Sequence, residues 1–239
     1  MLSLVAIIVI ILILLLFFCI KHFDDSVYEY NNHDIELIES VTSLDRGTAS
    51  ERFLILTLLK LGINHHAIFH DVYIKKNDGT FAQIDLVVAT RVGIIVFEVK
   101  DFSGWIFGKG NQTKWTQVLA FGEQKYRFYN PVLQNSSHIK QLRQKLKENV
   151  PFYSVIVFYG DSRLQDISFI PQNTFVTKDY MVSHVIREIL ELNPLANYKD
   201  KHNVVAVLKQ AVNEGNNVET QNQHVEHIKD MLGTDRVFQ

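Results

Sequence analysis

Two kinds of hydrophobic pattern divide this chain. Leu2 to Ile20 is apolar almost without interruption, with Ser3 its only clearly polar residue. After it, apolar and polar positions alternate in short blocks of the kind that fold into amphipathic helices and half-buried strands. The first run covers about 19 residues, close to the ~20 that a helix needs to cross a bilayer's hydrocarbon core. A cleaved signal peptide would carry a basic start and a small-residue cleavage site. Only Met1 precedes the run, and Phe17 and Phe18 stand before Cys19, where a lipoprotein site would need small residues. A transmembrane anchor at 1–22 is therefore expected, in contact with the lipid bilayer through residues 2–20. Lys21 and His22 follow it, so the positive-inside rule places the remainder in the cytoplasm.

Residues 23–47 are polar and read as a juxtamembrane linker with room for a short helix. Thr48-Ala-Ser-Glu51 then fits a capping box, and Gly62 stands where a helix would end, predicting a helix from about Ser50 to Leu61. Strands are predicted over Ile68–Ile74, Ala82–Ala89 and Gly93–Val99. Asn77-Asp78-Gly79 turns the chain between the first two, and Arg91-Val92-Gly93 between the second and third. Ile94 to Phe97 is continuously apolar, which suits a central strand covered on both faces. Residues 101–131 hold both tryptophans and several glycines and read as loops or short edge strands. Pro131 opens a helix from about Val132 to Lys147. Tyr153–Tyr159 is a fourth strand and Thr174–Thr177 a short fifth. Tyr180–Leu192 and Asn203–Val212 read as helices, and the tail from Asn216 is polar.

The 239 residues allow a substantial core without disulfide or metal staples, and the only cysteine lies inside the apolar run. A net charge of −2 argues against a strong, general nucleic-acid binder. The distribution changes that picture. Between Lys100 and Lys147 stand nine cations (Lys100, Lys109, Lys114, Lys125, Arg127, Lys140, Arg143, Lys145, Lys147) against Asp101 and Glu123. Such a segment is either a solvated face or a phosphate-facing side.

Candidate chemistry concentrates in the second and third strands. Asp85 lies in one, Glu98 in the other, and Glu98 and Lys100 are two apart, hence on one face. Two carboxylates from neighbouring strands make hard oxygen ligands suited to Mg²⁺, with Mn²⁺ as a substitute. The carbonyl of Val99 offers a further ligand. A lysine beside such a metal lowers the pKa of an attacking water or stabilises charge building on phosphorus. A buried ion pair without catalytic role is the alternative. His65, His66 and His70 cluster after the first helix. Adjacent histidines in a strand face opposite ways, which argues against a shared metal. His224 and His227 stand in the polar tail, and no phosphate-binding glycine loop or serine elbow is present.

The order of a helix with an acid, then Asp, then Glu-x-Lys resembles the PD-(D/E)xK nuclease superfamily, and more closely its nuclease-related domain family, NERD. The segments that carry the likeness are Ser50-Glu51-Arg52, Gln83-Ile84-Asp85-Leu86-Val87, and Phe97-Glu98-Val99-Lys100-Asp101 followed by Gly104 and Trp105. Asn130-Pro131 with Gln134 and His138 completes it. It spans about Ala49 to Tyr159. It implies an α/β fold, a restriction-endonuclease-like mixed β-sheet flanked by helices, which the anchor read from the apolar run would precede as one transmembrane helix. The nuclease-related domain would occupy 48–160, and a C-terminal helical extension 161–239. It further implies that Asp85 and Glu98 bind the metal and that Lys100 is the catalytic lysine. Glu51 either completes the acidic cluster or only caps its helix. Gln134 and His138, four apart on one helix face, approach the site, and Gln83 shares the face of Asp85. The implied activity is metal-dependent phosphodiester hydrolysis on nucleic acid, with DNA as the expected substrate. A non-catalytic nucleic-acid-binding or membrane-associated module on the same fold is the competing reading.

Overall fold

The computed structural model describes residues 30–76 and 78–215. The apolar run at 2–20 and the polar tail from 216 lie outside the described residues. Among the described residues no helix is long and apolar enough to cross a membrane.

The chain opens with a short helix, α1 (Asn32–Glu39), capped by the Asn31 side chain. It is followed by α2 (Ala49–Lys60), capped by Thr48. The segment read as a linker is thus partly built into the domain: Tyr30 donates to the Ala49 carbonyl, and Lys60 pairs with Asp34 across the two helices. Three strands follow, β1 (Ile68–Lys75), β2 (Phe81–Thr90) and β3 (Gly93–Asp101), joined antiparallel by the predicted turns. Each runs slightly beyond its predicted limits.

Residues 101–131, read as loops or edge strands, form three paired strands: β4 (Gly104–Lys109), β5 (Lys114–Leu119) and β6 (Gln124–Tyr129). Glycine hides the pattern here. A Cβ at Gly108 would stand 2.1 Å from the Trp115 ring, so a gap in the hydrophobic sequence is in fact the seat of a tryptophan. Helix α3 (Pro131–Leu146) leads to β7 (Phe152–Tyr159). Beyond it the helical extension expected from 161 begins instead with two strands, the first unforeseen and the second the short fifth strand expected over Thr174–Thr177. β8 (Ser162–Ser168) pairs parallel with β4, and β9 (Thr174–Lys178) pairs parallel with β7. β8 is half polar in sequence, and its strand character comes from that tertiary pairing rather than from its own residues. Then come α4 (Val182–Leu192), which starts two residues later than predicted because a single 3-10 turn at Asp179–Met181 precedes it, and α5 (Lys201–Glu214).

The result is a mixed α/β architecture with two mixed sheets. One has the order β1-β2-β3-β7-β9, the other β6-β5-β4-β8. Helices α2 and α4 cover one face of the large sheet through Leu54, Leu58, Val182, Ile186 and Ile189. Helices α3 and α5 cover the other through Leu142, Leu146, Val204 and Leu208. β3 is central and doubly covered, as its unbroken apolar run requires. The small sheet packs on the carboxyl end of β7, where Trp115 stacks on Phe158 with 6.1 Å between ring centroids and 3° between planes.

Candidate active site at the open end of β2 and β3

The paired ladder between β2 and β3 stops at Leu86↔Phe97. The next residues along are Asp85 and Glu98. In place of a further ladder bond, the Val99 N–H donates to Asp85 Oδ2 at 2.7 Å. The other neighbour of β2 gives way at the same point: β1 pairs His70↔Leu86 and Val72↔Ile84 but skips Asp71 and Asp85. Leu86 and Val88 pack in one core, whereas Ile84 and Val87 pack in the other. The in–out alternation of β2 therefore shifts at Asp85. A residue released from strict alternation can carry a carboxylate between two neighbouring strands without burying it in either core.

Glu98 and Lys100 keep strict alternation and share a face. Lys100 Nζ donates to Glu98 Oε1 at 2.6 Å and to Gln134 Oε1 at 3.3 Å. His138 Nε2 stands 3.5 Å from Glu98 Oε2. That is too long for a firm bond, and Glu98 Oε2 and both His138 ring nitrogens are buried without a hydrogen-bond partner. Gln134 and His138 reach this point because α3 is fixed at both start and middle. Asn130 Oδ1 caps the helix at the Val132 N–H. Its Nδ2 donates to the carbonyls of Lys109, Gly110 and Gln112. Asn135 Nδ2 donates to the Val96 carbonyl and to Ser154 Oγ, clamping α3 onto β3 and β7. Asn135 was not singled out in the sequence; its one signal was its place three residues before His138 on the same helix face.

Glu51 takes the capping role expected of it and a partner the sequence does not announce. Its backbone N–H donates to Thr48 Oγ1, and the Thr48 hydroxyl donates to Glu51 Oε1 at 2.8 Å, so the cap forms. Its other oxygen meets His70 Nε2 at 2.9 Å, and His70 Nδ1 meets Thr42 Oγ1 at 2.8 Å. Of the three clustered histidines, His70 alone is buried, and it meets Glu51. Gln83 turns to a neighbouring network instead of the Glu98 cluster. It donates to Asp71 Oδ1 at 2.7 Å, and Arg46 pairs with Asp71 Oδ2 at 2.8 Å. Gly47 lies against the Glu51–His70 pair with a φ of +68°, and a Cβ there would stand 2.5 Å from Glu51 Oε2 and from His70 Nε2. Gly47→Ala is expected to destabilise the fold by about 1–3 kcal/mol through the left-handed backbone alone. Urea unfolding reads that loss as a lowered midpoint.

The electrostatics are those of an acidic cluster with one resident cation. Burial, then the charges of Glu98 and Glu51, hold the Asp85 carboxyl well above the usual carboxylate range; Lys100 and the Val99 N–H only partly oppose this. Burial would raise Glu98 too, but the Lys100 charge and His138 outweigh it and the group is lowered. Burial would depress the Lys100 ammonium, yet Glu98 and then Asp85 more than offset that and raise it. Lys100 thus stays charged. The donor set fits a hard divalent ion: two carboxylates from adjacent strands, one with an unbonded buried oxygen, in a cluster with more negative than positive charge. No group of three or more His, Cys, Asp or Glu side chains that could hold a metal is found among the described residues. Two carboxylates are fewer ligands than a closed protein cage supplies.

A mixed α/β domain with an Asp, Glu-x-Lys cluster at the open end of two central strands defines a nuclease-like class. Residues 46–159 match the model of the nuclease-related domain, NERD, and this segment of the chain is a nuclease-related domain. An uncharacterized protein of Bacillus anthracis is 30% identical over 123 residues, which cover 52% of this chain and 57% of the relative. The chain thus spans little more than half the length of that relative. No solved structure matches.

Proposed function

We propose that the protein is a membrane-anchored, Mg²⁺-dependent nuclease that hydrolyses phosphodiester bonds, with DNA as its substrate, on a restriction-endonuclease-like fold. The observation that carries this reading is the convergence of Asp85, Glu98 and Lys100 where the β2–β3 ladder opens. Asp85 and Glu98 are the residues that would hold the ion, with the Val99 carbonyl as a further ligand. A bound divalent ion supplies Lewis-acid polarisation of a phosphoryl oxygen. Lys100, held charged by its two acidic neighbours, stabilises negative charge building on the phosphoryl oxygens. Gln134 fixes the ammonium from the side of α3. His138 offers Glu98 a proton donor on its free oxygen, and Glu51, anchored by His70, orients water at the edge of the cluster. Residues 2–20 would tether the domain to the bilayer, with Lys21 and His22 keeping it on the cytoplasmic side.

The competing reading, a non-catalytic binding module, draws on the net charge of −2 and on the closed Lys100–Glu98 pair. Cleavage separates the two. The full chain in detergent micelles is incubated with labelled single-stranded DNA, duplex DNA and RNA, each with Mg²⁺, Mn²⁺ or EDTA. Metal-dependent cleavage of DNA is the expected outcome. Binding without cleavage under every metal would establish the module instead, and cleavage of RNA alone would move the substrate.

A further inference from the structure

The small sheet turns one face to the core and leaves the other open. Ile106, Trp115 and Phe128 pack inward against β7 and α3. Strand register then fixes what lies on the outside, because paired residues share a face. Trp105 pairs with Val118, and Val118 with Lys125; Trp105 also pairs with Arg163 on β8. One step along, Phe107 pairs with Thr116 and Thr116 with Arg127. Beyond that, Lys114 pairs with Tyr129. The outer face is therefore a central aromatic line on β4, with Arg163 on one side and Lys125 and Arg127 on the other. Trp105 is 37% exposed and Tyr129 50%. The basic run of the sequence is thereby divided. Lys100 belongs to the site, Lys109 lies over the Phe169 ring and four cations lie on α3 or its cap, while Lys114, Lys125 and Arg127 join Arg163, from outside that run, on this face.

Among the described residues, no salt bridge engages Lys114, Lys125, Arg127 or Arg163. Glu123 in the β5–β6 turn and Asp161 and Asp166 about β8 are exposed, yet pair with none of them. Four exposed cations without internal partners suit a polyanion, and flat rings set between them suit bases. A duplex keeps its bases stacked on one another and cannot offer them to Trp105 and Phe107, so the complementary partner is a single strand. A bilayer would favour apolar side chains that protrude, whereas Trp105 lies within the face between charged neighbours. The sheet is also joined to the candidate site at two points: β3 runs through Lys100 into β4, and β6 runs through Asn130 into α3, which carries Gln134.

We propose that this outer face is a binding platform for single-stranded nucleic acid, stacking bases on Trp105 and Phe107 while Lys125, Arg127 and Arg163 hold the phosphates. It deepens the nuclease reading by assigning where the substrate strand lies, and rests on it only for why a strand is brought there. The test is fluorescence anisotropy of a labelled oligo(dT) strand with the full chain in detergent micelles, in EDTA so that cleavage plays no part. The wild type is expected to bind the strand more tightly than it binds a duplex of the same length. Lys125→Glu with Arg127→Glu is expected to weaken binding at least tenfold. It should also flatten the salt dependence by about 1.4 in log–log slope, for two phosphate contacts at ~0.7 each. Trp105→Ala, which keeps every charge, is expected to weaken binding about tenfold by lost stacking. Circular dichroism with an unchanged thermal midpoint shows that the variants fold. Unchanged affinity in both variants would overturn the platform, even in a chain that cleaves DNA. Loss of binding to phosphatidylserine vesicles but not to the oligonucleotide would overturn it in favour of a membrane-facing patch. Platform binding with no cleavage under any metal would leave the platform standing and remove the nuclease.

Discussion

Lys100→Met is expected to abolish most of the cleavage and to weaken the fold at the same time. Methionine keeps much of the lysine's length and removes its charge. Losing a preorganised charge aimed at the phosphoryl oxygens costs about 10²–10³ in turnover. The second effect follows from Glu98, whose side chain is 2% exposed and whose Oε1 has Lys100 as its partner. Breaking a buried pair by removing one member costs about 3–5 kcal/mol, because the remaining charge has no water to return to. Lys100 keeps some contact with solvent at 20% side-chain exposure, so the lower end applies. Glu98 is held below its ordinary value of 4.5 chiefly by Lys100. Its contribution to stability is thus present above that value and is lost as pH falls through the lower native one. In Lys100→Met this contribution should be much reduced, and the acid side of the stability profile should flatten. Single-turnover cleavage and urea unfolding across pH read the two effects separately. A variant that kept wild-type cleavage would remove Lys100 from the chemistry, whatever its stability.

Asp85→Asn is expected to act in the opposite direction on stability while destroying the response to metal. Asp85 is held well above the ordinary carboxylate value of 3.8 by burial and by Glu98 and Glu51. A carboxyl whose native pKa is raised binds its proton more tightly folded than unfolded. It adds stability below the unfolded value, and that stability is lost as pH rises from there through the native value. At neutral pH without metal the native state therefore bears the cost of that raised value. Asparagine cannot ionise, and its Oδ1 can still accept the Val99 N–H. In EDTA at neutral pH the variant should melt several degrees higher than the wild type, as ~1 kcal/mol shifts a domain of this size by roughly 2–4 °C. Millimolar Mg²⁺ should raise the wild-type midpoint and leave the variant unmoved, since only a ligand with affinity for the native state stabilises it. Equal midpoints in EDTA would show that burial, Glu98 and Glu51 do not raise Asp85 in the native state.

The elements of the large sheet were legible in the sequence because each carries its own pattern. β3 has an unbroken apolar run, α2 a capping box, and the β1–β2 connection an Asp-Gly turn. The small sheet was not. β4 to β6 are six residues each and place glycine or lysine where alternation would show, and β8 becomes a strand only against β4. The Asp85, Glu98 and Lys100 cluster was readable because two-residue spacing on a strand fixes a shared face. The shift of alternation at Asp85 was not, for it depends on Asp71 adopting a φ of +55° on the neighbouring strand. Nor was the support of Glu51 by His70 and Thr42, which joins residues 19 and 28 positions apart. Such pairs arise from packing, and nothing local announces them.

In the proposed mechanism Asp85 and Glu98 share one divalent ion. Manganese binding to the full, metal-free chain, followed by the electron paramagnetic resonance signal of free Mn²⁺, tests it most directly. One ion should bind per wild-type chain and none per Asp85→Asn chain, with Glu123→Gln, an exposed charge change outside the cluster, binding like the wild type. A wild type that binds no Mn²⁺, or an Asp85→Asn variant that binds as the wild type does, would rule out an ion shared by Asp85 and Glu98.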